Sequence, residues 1–188
     1  MEERNRSRST TPLRVLVVAV AASLMALLGV SAAAAAGSTV GFGFDARDVS
    51  GFRNAGAVAL NGGGAFNLNS TAGSVHTGGG FSCTADVGAG LLKGCLQGEG
   101  VRWDAEDVLG STAFKCTGSA DDALKPASTD ADTVVLQADF YRAGDANDES
   151  FTAQMIVSTR DIATNMQGFQ NVWVQSVGCG TAVVHFGA

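Results

Sequence analysis

Apolar and polar residues alternate along short stretches of the chain, which is the period-two pattern of half-buried β-strands. The pattern is clearest in 133–141 and in 151–157, and the segment between them, 142–149, has the composition of a turn. The apolar residues that share one face of these stretches are Val134, Leu136, Ala138 and Phe140, then Phe151, Ala153, Met155 and Val157. The two stretches are therefore predicted to form an antiparallel hairpin.

Shorter stretches with the same alternation predict further strands. They are 39–45, 55–60, 64–69, 73–83, 99–104 and 111–117, followed by a last hairpin with apolar Val172, Val174, Ala182, Val184 and Phe186. The turn of that hairpin is predicted at 178–180, and helical signals are limited to single turns at 104–109 and 160–166. The fold class is therefore all-β. An antiparallel barrel is favoured over a sandwich because closure removes exposed strand edges.

Glycine is abundant and proline is scarce, with 25 Gly and 2 Pro in the chain. Two glycine triplets, 62–64 and 78–80, lie sixteen residues apart, each followed by an apolar segment containing phenylalanine. Glycine inside a strand is typical of a bulge or of a tight bend, where a side chain would collide with a neighbouring backbone. We expect both triplets to lie where a curved sheet bends sharply.

The first 36 residues have the pattern of a secretory signal peptide. Four arginines stand against two glutamates before Val15, an apolar run extends to Val30, and small residues follow up to Ala36. This order of positive, apolar and small residues is what signal peptidases recognise. Cleavage is predicted after Ala36, which leaves 37–188 as one extracellular β domain; an uncleaved membrane anchor is the alternative.

Removing 1–36 makes the remaining chain more acidic. Lys+Arg falls from 12 to 8 and Asp+Glu falls from 18 to 16, so the net charge of the mature chain is near −8. Its cationic residues are scattered singly, whereas nucleic acids and anionic membranes bind to clustered positive charge. Both are therefore disfavoured as partners, and a small molecule or an extracellular protein is expected instead.

All four cysteines, Cys83, Cys95, Cys116 and Cys179, lie in the predicted mature chain. An even number in an exported protein indicates two disulfides, for which three pairings are possible. The pairing favoured here is Cys83–Cys95 with Cys116–Cys179. Because no cysteine or histidine has the spacing of a zinc site, no metal and no cofactor are predicted.

The strand faces opposite the apolar stripes carry polar and aromatic side chains that could contact a ligand. These residues are Gln137, Asp139, Tyr141, Gln154, Trp173, Gln175 and His185. If this face turns inward it lines a cavity with a few polar groups among aromatics, as small-ligand sites do. If it turns outward it is an ordinary hydrated sheet face, and the alternation alone does not choose between the two.

A second group of polar residues, Asp104, Glu106 and Asp107, follows Trp103. An aromatic residue beside carboxylates is found in sugar-cleaving sites, where two carboxylates act as a pair. Acidic residues also favour the first turn of a helix, which is the interpretation preferred here. The leading functional hypothesis is thus a secreted, non-catalytic binding or interaction module. The alternatives are a secreted hydrolase using acidic residues, such as Asp104, Glu106 or Asp139, and an inhibitor presenting the disulfide-braced loop at 84–94.

Three short motifs add a resemblance. The motifs are Val-Arg-Trp-Asp at 101–104, Ala-Asp-Phe-Tyr-Arg at 138–142, and Val-Trp-Val-Gln with the following Gly-Cys-Gly at 172–180. Together with the alanine-rich leader, they resemble small secreted bacterial proteins of unassigned function. The resemblance implies export and brings no site residues.

Export and disulfide formation predict one mass. Protein recovered from the culture medium of its own cell should have, after denaturation, the mass of residues 37–188 less four hydrogens. Intact-mass spectrometry measures this directly. A mass that retains residues 1–36 would contradict the signal-peptide prediction, and a mass with four thiol hydrogens would contradict the disulfides.

Overall fold

The structure, a computed structural model, describes residues 39–69, 76–100, 102–142 and 151–187. The predicted signal peptide at 1–36 and its cleavage site lie outside the described residues, as does most of the predicted turn at 142–149. Within the described ranges every regular element is a strand. No helix in these ranges is long and apolar enough to cross a bilayer.

Ten strands follow one another along the described chain. They are β1 (Thr39–Gly51), β2 (Ala57–Asn67), β3 (His76–Cys83), β4 (Arg102–Leu109), β5 (Ser111–Phe114), β6 (Lys125–Ser128), β7 (Thr133–Tyr141), β8 (Phe151–Ser158), β9 (Val172–Val174) and β10 (Gly178–Gly187). Eight of them close into an antiparallel barrel in the order β1-β10-β9-β8-β7-β4-β3-β2. β5 and β6 form a separate two-stranded sheet. The predicted antiparallel barrel is confirmed over the sandwich.

Apolar side chains fill the interior of the barrel. The predicted stripe of β7 faces inward, and so do Ala153, Met155 and Val157 of β8. Aromatic rings from five strands meet them there, namely Phe42, Phe44, Phe66, Phe81, Trp103 and Phe140. Phe140 stacks on Phe151 with ring centroids 4.8 Å apart. Because these side chains occupy the space that the wall encloses, the interior is a packed core.

The two glycine triplets lie side by side on β2 and β3, with Gly62 opposite Gly79 and Gly63 opposite Gly78. A Cβ atom on Gly79 would lie 1.9 Å from the carbonyl oxygen of Asn61, so the two backbones are too close for any side chain there. A Cβ atom on Gly62, whose φ is +149°, would lie 2.8 Å from the ring of Trp103. The glycines therefore allow a close approach of the two strands, and the β2–β3 register runs through both triplets without a bulge.

The loop that joins β3 to β4 packs against the core at one end of the barrel. The Cys83–Cys95 disulfide closes it, and Val87 and Leu92 are buried in the same core as the barrel interior. Hydrogen bonds within the loop hold this shape, among them one from the Val87 N–H to the Cys95 carbonyl at 2.9 Å. The loop thus covers apolar side chains that would otherwise face water at the barrel mouth.

The second disulfide, Cys116–Cys179, joins the chain after β5 to β10 across 63 residues. The favoured pairing of the four cysteines is confirmed by both bridges. In the chain-entropy account, each bridge contributes about 3–4 kcal/mol by restricting the unfolded chain. Two disulfides are compatible with an oxidising, extracellular environment.

Three local predictions are wrong. Residues 104–109 belong to β4 and form no helical turn, because their outward polar residues alternate with buried Trp103 and Val108 around a bulge between Ala105 and Asp107. Residues 160–166 form non-helical turns. The last hairpin turns at 175–177, and 178–180 already pairs with β9 as a strand.

Strand boundaries also differ from the prediction. The candidates at 55–60 and 64–69 are one strand, β2, because glycine continues the ladder through 62–64. The candidate at 99–104 shifts to β4, and the candidate at 111–117 shortens to β5. The sequence pattern missed β6, whose four residues include Pro126.

The close contact between β2 and β3 generates a matched pair of substitutions. Gly79→Ala should lower the free energy of unfolding by more than about 3 kcal/mol, because its Cβ would meet a backbone oxygen that has no room to move. Gly80→Ala should cost under about 1 kcal/mol, because its Cβ would lie 3.2 Å from the flexible side-chain end of Asn61. Denaturant unfolding followed by circular dichroism measures both, and equal losses would contradict the account of this close contact.

Candidate functional site

The β5–β6 hairpin and its connecting turn, residues 111–128, lie against the outer face of the barrel; we call this segment the flap. Phe114 and Cys116 of the flap are buried against Val135, Ile156 and Trp173, which face outward from the barrel wall. This second apolar cluster is separate from the interior core. The flap therefore covers part of the sheet face that was predicted to be either a cavity lining or a hydrated surface.

Trp173 is the residue of that face that the flap covers most completely. It is 4% exposed, its ring centroid lies 5.5 Å from that of Phe114, and its indole N–H donates to the Lys115 carbonyl at 2.7 Å. A buried indole needs such a partner. Trp173 thus anchors the flap to the barrel.

Three of the predicted ligand-face residues, Gln137, Gln154 and Gln175, form a row across β7, β8 and the turn that follows β9. Gln137 and Gln154 are directly opposite across β7 and β8. The Gln154 backbone N–H donates to Gln175 Oε1 at 3.0 Å, and the Gln175 N–H donates to the Gln154 carbonyl at 2.9 Å. We call these three residues the glutamine row.

The flap touches the glutamine row and leaves a groove beside it. The Thr112 hydroxyl donates to Gln154 Oε1 at 2.5 Å, which fixes the orientation of that amide. The groove has a volume of about 190 Å³. It is lined by Phe52, Ala113, Phe114, Lys115, Leu124, Gln154, Trp173, Gln175 and Ser176. Amides, a hydroxyl and an ammonium group beside apolar walls suit the binding of a polar molecule.

Ser176 stands out among the lining residues because its backbone is left-handed, with φ at +62°. Side chains other than glycine adopt this conformation at a cost, and they are enriched at functional sites. Here it forms the turn between β9 and β10 that bounds the groove. Among the residues that line this groove there is no carboxylate and no imidazole.

Asp139 and Tyr141 lie farther along β7 and form a different group. Asp139 is 6% exposed, and its carboxylate accepts a hydrogen bond from the Thr152 hydroxyl at 2.8 Å. Its register partner on β4 is Asp104. The guanidinium of Arg102 lies 4.2 Å from the ring centroid of Tyr141 and 3.3 Å from the Asp104 carboxylate.

His185, the last predicted residue, is apart from both groups. It is exposed on β10 and lies over Gly43 of β1, where a Cβ atom would come within 2.5 Å of the imidazole ring. β9 and β8 separate β10 from β7 in the barrel order. The seven predicted residues thus all lie on the outside of the barrel, and three of them, Gln154, Gln175 and Trp173, line one groove.

Sequence reasoning missed the flap contribution to the groove. Thr112, Ala113 and Lys115 fell in a predicted strand, but nothing in their pattern indicated which surface that strand would cover. The long-range disulfide to Cys179 was the one available signal, because it brings the segment around residue 116 to the start of β10. Within the described ranges, no group of three or more His, Cys, Asp or Glu residues is placed to hold a metal ion.

Comparison of the chain with protein-family models, with curated proteins and with solved structures finds no match. The groove must therefore be interpreted from its own chemistry.

A buried carboxylate holds the turn of the flap. Asp122 accepts hydrogen bonds from the Thr117 N–H at 2.8 Å and from the Lys125 ammonium. Burial alone would raise the pKa of Asp122. The hydrogen bond and charge of Lys125, together with the hydrogen bonds from Thr117, outweigh burial and lower that pKa below its ordinary value. The ionised carboxylate therefore stabilises the flap.

The lowered pKa predicts a loss of stability in acid. A carboxylate with a depressed folded-state pKa stabilises fully above the unfolded value near 4 and loses this stabilisation as pH falls through the folded pKa. The free-energy difference between the wild type and Asp122→Asn should therefore be largest near neutral pH and shrink as the pH falls below the unfolded value of about 4. Urea unfolding across pH measures it. The exposed neighbour Asp121, changed to Asn, is the control, and an equal effect there would contradict the assignment.

Proposed function

We propose that the chain is a secreted, non-catalytic binding module and that its contact site is the groove beside the glutamine row. The observation that carries this proposal is the chemistry of the lining. Two amides, a hydroxyl and an ammonium group surround the groove, without a carboxylate or an imidazole to act as general acid or base. Such a set of groups can bind a ligand by hydrogen bonds without transforming it.

Two further features support this proposal. The barrel interior is filled by aromatic and aliphatic side chains, which favours a partner that binds outside the wall. One disulfide braces the loop that covers an end of the barrel and the other ties the flap to β10, and such bridges suit a small domain that must keep its shape after export. The mature domain would then present a fixed groove to a small molecule or to another extracellular protein.

The hydrolase alternative has one specific observation in its favour. Asp104 and Asp139 are direct register partners on β4 and β7, so two carboxyl groups lie on one face of neighbouring strands. Each already has a partner, since Asp104 lies 3.3 Å from Arg102 and Asp139 accepts from Thr152. A catalytic pair would have to keep one of these carboxyl groups protonated at its working pH.

The inhibitor alternative depends on the loop at 84–94. Val87 and Leu92 of this loop are buried in the barrel core, whereas Leu91 is 41% exposed and Leu96, just beyond it, is 59% exposed. Cutting the loop would thus expose the core as well as remove a contact surface. This makes the groove the better first site to test.

Native mass spectrometry on protein from its own culture medium tests the proposal. We expect a bound molecule or partner whose occupancy falls at least about tenfold in Gln175→Ala, because an amide donor is lost. Gln167→Ala, an exposed glutamine outside the groove, is the matched control and should retain full occupancy.

A second pair of variants separates binding from catalysis. Asp104→Asn and Asp139→Asn should leave the bound molecule in place if the groove is the site. If the bound molecule is lost in the aspartate variants and kept in Gln175→Ala, the proposal is overturned in favour of the hydrolase. A protein that carries neither ligand nor partner would overturn it as well.

A further inference from the structure

We propose that the partner of the groove is an extended polypeptide segment, which adds as a third strand to the free edge of β5. This inference rests on the proposed function, because it takes the groove as the binding site. It identifies the class of partner by the hydrogen bonds that the edge of the flap sheet offers.

The hydrogen bonding of the flap sets the direction of each backbone group on β5. The Thr129 N–H donates to the Gly110 carbonyl at 3.0 Å, so these two residues face each other across the hairpin. In an antiparallel pair, alternate residues direct their N–H and C=O toward the partner strand. The backbone N–H and C=O groups of Thr112 and Phe114 therefore point toward β6, while those of Ser111 and Ala113 point away from it.

Two observations agree with this alternation. Ala113 is the register partner of Pro126, which has no N–H to donate and so could not complete a hydrogen-bonded pair. The Lys115 carbonyl, two residues beyond Ala113, points away from β6 and accepts from the Trp173 indole. Among the described residues, no strand pairs with the outer edge of β5, and Ala113 lines the groove.

The two edges of the flap sheet differ in a way that favours strand addition at β5. Natural proteins protect sheet edges with proline, charge or a covering loop, because open edges recruit further strands. β6 has this protection, since Pro126 lies on it and the chain near Ile162 borders the same side. β5 carries neither proline nor charge, since Ser111 and Ala113 are small, uncharged and exposed.

The glutamine row adds donors beneath the incoming strand. Gln154 Oε1 accepts from Thr112 and Gln175 Oε1 accepts from the Gln154 N–H, so both amide oxygens are engaged within the protein. The amide nitrogens are the groups that remain for a ligand, and they bind acceptors such as peptide carbonyls. Leu124, 63% exposed, and Phe52 offer apolar contact to alternate side chains of the segment.

The length of β5 limits how many residues of the segment can pair with it. Its four residues span about 13 Å at the rise of a β-strand, so the paired part of the partner should be about four residues long. Lys115, the one charged side chain that lines the groove, favours an acidic residue beside it. The inferred partner is therefore a short, extended, mildly acidic segment of an extracellular polypeptide.

Random linear peptides displayed on phage and selected on the intact, oxidised chain supply the probe. The affinity of a selected peptide is then measured by fluorescence anisotropy. Ala113→Pro fixes the φ of residue 113 and removes the N–H that points away from β6, but it breaks no hydrogen bond between β5 and β6. The flap should therefore stay folded, and peptide binding should weaken about tenfold. Ala113→Ser keeps the N–H and should bind within about twofold of the wild type. Circular dichroism and urea unfolding verify that both variants are folded.

A scan of the peptide with N-methyl groups gives the signature of strand addition. Only alternate residues of an added strand face β5, so methylation should weaken binding at every second position. Strand addition would be overturned if Gln175→Ala lowered the affinity while Ala113→Pro had no effect and the N-methyl scan showed no alternation. The groove would then still be a binding site. Selection of no peptide, or peptides that none of the variants weakens, would overturn the peptide partner as well.

Discussion

Closure of the barrel depends on the contact between Trp103 and the bare backbone of β2 and β3. The indole donates to the Asn61 carbonyl at 3.0 Å, and its ring lies where a side chain on Gly62 would be. Glycine at the paired positions lets the two strands approach more closely than side chains allow, which bends the wall around the ring. The aromatic core can then be enclosed by eight strands.

Because the interior is filled, the polar side chains that a ligand could contact lie on the outside of the wall. Many small barrels bind a ligand within the barrel, but here the rings of Phe42, Phe44 and Phe140 occupy that space. The flap creates a second apolar layer on one side and, at its margin, a groove between two surfaces. In the proposed binding site, backbone and amide groups of both layers would contact the partner, so the flap would be part of that site as well as a cover.

Alternation of apolar residues was sufficient to predict the strands that build the core. The stripes of β7 and β8 depend only on local spacing, which the hydrophobic effect enforces wherever one face is buried. The sequence pattern was misread at 104–109, where three acidic residues around a bulge resemble the first turn of a helix. It also could not place Trp173, because burial of an outward-facing residue is decided by the flap, far away in the sequence. The glutamine row was found as polar positions on a common face, while its partner Thr112 was not.

The pairing of β1 with β10 has a consequence for how the chain folds. The first described strand and the last one form a seam of the barrel, with Gly41 opposite Gly187. Contacts this distant in sequence are slow to form, because a long loop must be closed before they contribute any stability. The wall therefore stays open until the last strand has been synthesised, with the apolar stripes of earlier strands exposed meanwhile. Chaperones that hold unfolded chains would have their longest opportunity to bind this protein before that seam is made.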